Sequence, residues 1–214
     1  MIAVGLFRPR LVSWMGVVVR AMTVNLARGV LYKATTRDRA QPVRMEPVMP
    51  RPPNPPASVV FKDPIHLLAF GFGSGLAKYA PGTFGSLAAL VLYFALIGLP
   101  DWAYIAVVVV ITVSGFHICG ESARMLGVHD HPGIVWDEWA GMLITLAFAP
   151  AGLVWVLVGF LLFRLFDILK PFPANYFDRQ NDGVGIVMDD VVAGIYAWFA
   201  LQLLAWAFYT YTAV

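Results

Sequence analysis

Asp137-Glu138, Asp167, Asp178 and Asp189-Asp190 stand at the ends of long apolar runs instead of being spread over a solvated face. Residues 63–214 hold eleven carboxylates, and these six are the bunched ones. A bare carboxylate at the edge of a bilayer is costly, so a cluster of them calls for a positive partner. A divalent metal ion bound together with a phosphate is the natural candidate, because hard cations take oxygen ligands.

The residues around these acids sharpen the chemistry. In VWDEWAGM, Asp137 and Glu138 fall in the first turn of an expected helix, and Asp189-Asp190 open another. Acids there complement the helix dipole, which explains one such pair without any ligand. Two pairs facing one side of a membrane point to metal ligands. Neighbouring helical residues project about 100° apart. One of each pair is then left to bind the metal, and the other to orient a water or a second ligand.

In FRLFDILKPFP, Arg164 and Asp167 share a helix face and Lys170 drifts off it at the C-terminus. An internal salt bridge would lower the cost of burying them. Alternatively Asp167 goes to the metal and Arg164 or Lys170 to phosphate oxygens. The two readings are compatible.

His129-Asp130-His131 lies in a polar loop. Two histidines that close, with no cysteine nearby, make a weak zinc signal. A loop that orders substrate or donates a proton fits as well. His66 and His117 sit in apolar helical context and read as packing residues. The glycine-rich stretch 71–86 lacks the GK[ST] ending of a P-loop. Its glycines either bring backbone N–H groups to a phosphate, with Lys78 and Thr83 assisting, or serve close helix packing.

Something apolar must position these groups. Hydrophobic residues make up 59% of the 214 residues, charged residues 13%, and the mean hydropathy is +0.72. A soluble domain carries about 25% charged residues. The composition predicts an all-α polytopic membrane bundle with about four to five short membrane helices. Residues 1–62 hold ten basic and two acidic side chains, a balance of +8, while residues 63–214 carry −6. A basic leader before an apolar domain places the start of the chain in the cytoplasm. Its basic residues are dispersed, with few aromatics between them, which argues against nucleic acid.

Residues 11–24 read as a surface-lying amphipathic helix or a signal-like remnant. Residues 41–57 hold seven prolines and read as a linker. Residues 1–58 are therefore expected to be a poorly ordered extension and 59–214 the membrane domain, with Met45 or Met49 as an alternative start. The single Cys119 excludes an internal disulfide framework and reads as a buried apolar residue.

Helices are expected from Asp63-Pro64 through Phe70 and over 87–99, 102–119, 136–148, 153–169 and 186–208. Several of these runs are shorter than the roughly 20 residues a full crossing needs, so re-entrant helices or a locally thin bilayer are expected. If each long run crosses once, the polar segments 71–86, 120–138 and 167–190 meet on one side, and the positive-inside pattern makes that side cytoplasmic.

Several phosphatase chemistries drop out. Cys119 and Arg124 are one residue too close for a Cys-x5-Arg loop. There is no D-x-D-x-[TV] segment for an aspartyl-phosphate route, and no PSGH segment for a histidine-based one. What remains is a carboxylate-held metal that activates water and neutralises phosphoryl charge.

Four blocks, GFGSGLAKYAPGTFGSLAA, GVHDHPGIVWDEWAGM, FRLFDILKPFP and FDRQNDGVGIVMDDVVAG, resemble the bacterial phosphatidylglycerophosphatase A family in order and spacing. The resemblance covers about residues 62–205, and 1–58 fall outside it. It implies a Mg2+-dependent lipid phosphatase of the bacterial inner membrane, with 59–214 as the phosphatase domain. Phosphatidylglycerophosphate would be cleaved to phosphatidylglycerol and phosphate at the cytoplasmic face, the step that feeds cardiolipin synthesis. Asp137, Glu138, Asp167, Asp189 and Asp190 would hold one or two Mg2+ ions. Arg164, Lys170 and Arg179 would bind the phosphate, and Asp130 or His129 would assist proton transfer.

Two rival classes carry signatures of their own. A cation-coupled transporter would place its acids mid-span and show inverted repeats. A lipid head-group transferase would show a D-x2-D-G-x2-A-R signature, which is absent.

Overall fold

The computed structural model describes residues 52–128, 131–177 and 182–212. Residues 1–51 of the basic leader and His129, Asp130, Asp178 and Arg179 lie outside the described residues. The described chain is helical, with no strand among the described residues: α1 (Ala57–Lys62), α2 (Pro64–Ala69), a 3-10 segment (Gly71–Leu76), α3 (Pro81–Leu96), α4 (Asp101–Leu126), α5 (Trp136–Leu146), α6 (Leu153–Leu169), α7 (Ala174–Phe177) and α8 (Gly183–Thr212).

The boundaries have local causes. Asp63 caps α2, its Oδ1 accepting from the backbone N–H of Ile65 at 2.8 Å and of His66 at 3.1 Å, with Pro64 in the first turn. α3 starts at Pro81, earlier than the apolar run suggested, because Ala80 turns the chain in the left-handed region (φ 46°) and Pro81 fixes the first helical φ. α4 runs on past Cys119 to Leu126, where Gly127 (φ 68°) ends it. The polar residues 120–126, read as loop, are therefore helical, and Glu121 and Arg124 pair one turn apart. α1 was not anticipated; it falls inside and just after the proline-rich stretch.

α5 is the centre of the bundle. Every residue of its 11 except Ile144 is buried, and α3, α4, α6 and α8 pack around it. At 1.5 Å per residue it is about 16 Å long, roughly half a hydrocarbon core. Two contacts orient α4 antiparallel to it: Tyr104 Oη donates to Leu143 O at 2.7 Å, and Trp136 Nε1 donates to Ile111 O at 3.1 Å.

α8 runs parallel to α5, and glycines set how close they come. A Cβ on Gly194 would lie 2.5 Å from Gly141 O, so the two backbones touch there. Thr145 Oγ1, fully buried, donates to Gly141 O (2.9 Å) and lies 3.3 Å from Gly194 O.

Among the described residues two helices, α4 (26 residues) and α8 (30 residues), are long and apolar enough to cross a membrane. The outer faces carry exposed aliphatic side chains such as Val91, Val110 and Leu161. His66 is buried, as expected of a packing residue, with Nδ1 2.9 Å from Ser122 Oγ. Cys119 is buried and in no disulfide.

Candidate active site

The alternation of helix directions brings the starts of α3, α5 and α8 and the end of α6 to one end of the bundle. Asp137 lies one turn before Gly141 on α5, and Asp190 one turn before Gly194 on α8, so each acid shares a face with its contact glycine. Packing the two glycines together therefore drives the two carboxylates together. Asp137, Glu138 and Asp190 each offer an oxygen, and these atoms lie within 4.8 Å of one another. All three side chains are recessed: Asp137 is 8%, Glu138 9% and Asp190 4% exposed.

One turn of α6 supplies the counter-charge. Arg164 Nη1 pairs with Asp167 Oδ2 at 2.6 Å, the i, i+3 bridge expected from sequence. Arg164 and Asp167 are both charge neighbours of Glu138, and Asp167 also faces Asp190. Lys170 follows the last residue of α6 in the left-handed region (φ 43°). Its Nζ reaches Asp189 Oδ2 at 2.6 Å. The two adjacent acids of α8 thus divide: Asp190 joins the carboxylate group, and Asp189, 7% exposed, faces the lysine.

The third wall comes from α3. A Cβ on Gly82 would collide with Glu138 Oε1 and lie 3.2 Å from Arg164 Nη1. Ser86, one turn on and fully buried, donates to Gly82 O at 2.9 Å, and Arg164 Nη1 lies 3.5 Å from its Oγ. Neither residue stood out from sequence. The signal that could have found them is the G-x3-S spacing over the first two turns of a helix beside the acidic blocks.

Thr83 is half-buried in the same turn of α3. Lys78 is exposed, its ammonium 5.6 Å from the Tyr79 ring. His131, the second histidine of the HDH loop, is buried and accepts from Gly133 N–H at 3.0 Å through Nδ1.

Glu138 Oε2 is buried without a hydrogen-bond partner. A buried acceptor left unsatisfied costs about 1–3 kcal/mol, more when charged. Three converging carboxylates with an orphaned oxygen match the donor set of a hard divalent cation. Arg164 Nε is likewise buried and unpartnered, a donor suited to an anionic oxygen. The pattern defines a class: helical proteins with membrane-length apolar helices and a recessed acidic site, flanked by cations, at one end.

The particular family follows from comparison with known proteins. The profile of phosphatidylglycerophosphatase A matches residues 67–205, and the chain belongs to that family. It is 47% identical to phosphatidylglycerophosphatase A of Haemophilus influenzae over 155 residues, 70% of this chain and 95% of that protein. It is 47% identical to phosphatidylglycerophosphatase A of Escherichia coli K12 over 135 residues, 62% of this chain and 78% of that protein. A protein of Bacteroides thetaiotaomicron, provisionally named a phosphatidylinositol-3-phosphatase, is 36% identical over 148 residues, 65% of this chain and 92% of that protein. No solved structure matches the chain.

Proposed function

We propose that this protein hydrolyses phosphatidylglycerophosphate to phosphatidylglycerol and inorganic phosphate, using Mg2+ held by Asp137, Glu138 and Asp190. The observation that carries the reading is the convergence of those three carboxylates beside Arg164, with an oxygen of Glu138 left unsatisfied. Family membership supplies the reaction. Bound there, Mg2+ would offset charge on the phosphoryl oxygens and acidify a water.

The chain's own groups do the rest. Arg164, aligned by Asp167, presents donors to the phosphoryl oxygens. Lys170, anchored on Asp189, adds positive charge at the rim. Water attacks phosphorus, the bond to the glycerol oxygen breaks, and the leaving oxygen takes a proton. His129 and Asp130, the proposed proton carriers, lie outside the described residues. Recession of the acids excludes bulk water and strengthens each electrostatic contact.

The membrane setting belongs to the same proposal. α3, α4, α5, α6 and α8 make five passes, with α5 short and wrapped by the other four. Exposed aromatics collect at both ends of the bundle: Phe61, Tyr79 and Phe84 near the site, and Trp102, Trp206 and Tyr211 at the opposite end. Such belts suit the two interfaces of a bilayer. The site then opens at the cytoplasmic face of the bacterial inner membrane, where the lipid's dianionic head group is reached without extracting its acyl chains.

The test is phosphate release by purified, detergent-solubilised protein. Release from phosphatidylglycerophosphate in Mg2+, its loss in chelator and its return on adding Mg2+ back are expected. No release at any Mg2+ concentration would remove the phosphatase reading and leave cation binding alone, as a transporter would show.

A further inference from the structure

We infer that Gly82 and Ser86, on the first two turns of α3, are positioning residues that set Glu138 and Arg164 in the site. Asp167 holds one side of the Arg164 guanidinium, and the other side, together with the Glu138 carboxylate, meets α3. Glu138 has three side-chain torsions and Arg164 has four, so each needs external support to hold one pose.

Gly82 supplies it by lacking a side chain. Its Cα is where the Glu138 carboxylate comes to rest, because a Cβ there would collide with Oε1. The carboxylate thereby sits against the N-terminal turn of a 16-residue helix, where backbone dipoles favour negative charge. Its other oxygen, Oε2, is buried and unpartnered, so it is kept for something outside the described protein atoms.

Ser86 acts on the arginine. Its hydroxyl proton is committed to Gly82 O at 2.9 Å, which leaves its lone pairs toward Arg164 Nη1 at 3.5 Å. The guanidinium is thus bracketed by Asp167 on its own helix and by Ser86 across the interface. Its nitrogens would lie 3.2 and 3.4 Å from a Cβ on Gly82. One turn of α3 therefore sets the spacing between the acid that faces the cation and the base that faces the phosphate.

The experiment has two arms. In the first, Mn2+ replaces Mg2+ and its binding to detergent-solubilised full-length protein is titrated by electron paramagnetic resonance. Gly82→Ala is expected to weaken Mn2+ binding about tenfold or more, since Glu138 must move. Glu138→Asp, shorter by one methylene, should recover part of that loss when combined with Gly82→Ala. Equal Mn2+ affinity in wild type and Gly82→Ala overturns the role of Gly82, as does a double variant that binds no better than the single one.

In the second arm, Ser86→Ala should leave Mn2+ affinity unchanged and lower kcat/KM about tenfold. In an Arg164→Lys background the same change should cost less than about twofold, because its effect passes through the arginine. An equal loss in both backgrounds, or none in the wild type, overturns it.

The kinetic arm rests on the phosphatase reading, and the Mn2+ arm does not. Wild-type protein that binds Mn2+ but releases no phosphate would defeat the proposed reaction while Gly82 is still decided. Titration of inorganic phosphate by calorimetry then decides Ser86: a Kd about tenfold weaker in Ser86→Ala supports it, and an unchanged Kd overturns it.

Discussion

Replacing Asp190 by asparagine is expected to lower turnover about a thousandfold or more while the protein still folds and inserts. Asparagine keeps the shape and one acceptor oxygen but removes the charge that a hard cation needs. A loss of about 4 kcal/mol of transition-state stabilisation corresponds to that factor. The same substitution should act in the opposite direction on stability in chelator.

Asp137, Glu138, Asp167 and Asp190 crowd one recess, with Arg164 as the cation that pairs within it. Without a divalent ion their mutual repulsion is a standing cost, and Asp190→Asn relieves part of it. The thermal midpoint in chelator should therefore rise or hold, and the increment gained on adding Mg2+ should shrink. Phosphate release and thermal unfolding, each with and without Mg2+, check both halves. Turnover within threefold of wild type would remove Asp190 from the site.

Gly194→Ala carries the second large effect, and it lies a full helical turn from the acids. Its Cβ would lie 2.5 Å from Gly141 O and about 3 Å from the rest of that peptide, so α5 and α8 must separate or slide. Overpacking of this kind costs about 1–3 kcal/mol. The larger effect is on geometry. A shift of about 1 Å between Asp137 and Asp190 is enough to cost roughly a hundredfold in rate. Activity should therefore fall far more than the thermal midpoint does. Gly98→Ala is the control, since a Cβ there meets nothing within 4 Å and both readouts should stay at wild-type level. Full activity in Gly194→Ala would show that the helix contact does not set the carboxylate spacing.

The acidic blocks were legible in the sequence because charge in so apolar a chain is conspicuous. Asp137 and Glu138 emerge from their placement at a helix start, and α5 and α6 begin where the sequence suggested; α8 instead begins at Gly183, ahead of the expected 186, so Asp189 and Asp190 lie about two turns inside it and do not open it. The meeting of the polar segments at one end followed from counting apolar runs.

Less visible was the means of bringing the acids together. D-x-x-A-G occurs at 137–141 and again at 190–194, and its glycines are the contact points. A glycine inside an apolar helix reads as a mild defect until a partner backbone is seen against it. PGTFGS, residues 81–86 of the glycine-rich stretch, opens α3, with Gly82 against Glu138 and Gly85 against Val135. That favours the packing explanation for those two glycines.

The resemblance implies a metal-holding Asp189 and a phosphate-binding Lys170, and the structure pairs the two with each other. Lys170 stands in the left-handed region at a helix end, which no periodicity announces. The central place of α5 was hidden too, since an apolar run looks alike whether it faces lipid or neighbouring helices.

The central claim is that carboxylates from α5 and α8 share one divalent ion. Mn2+ titration by electron paramagnetic resonance, on wild type and on Asp137→Asn and Asp190→Asn separately, tests it most directly. One tight site in the wild type, lost or weakened about a hundredfold in each variant although the two residues sit on different helices, is the predicted result. Mn2+ binding that survives unchanged in either variant would contradict it.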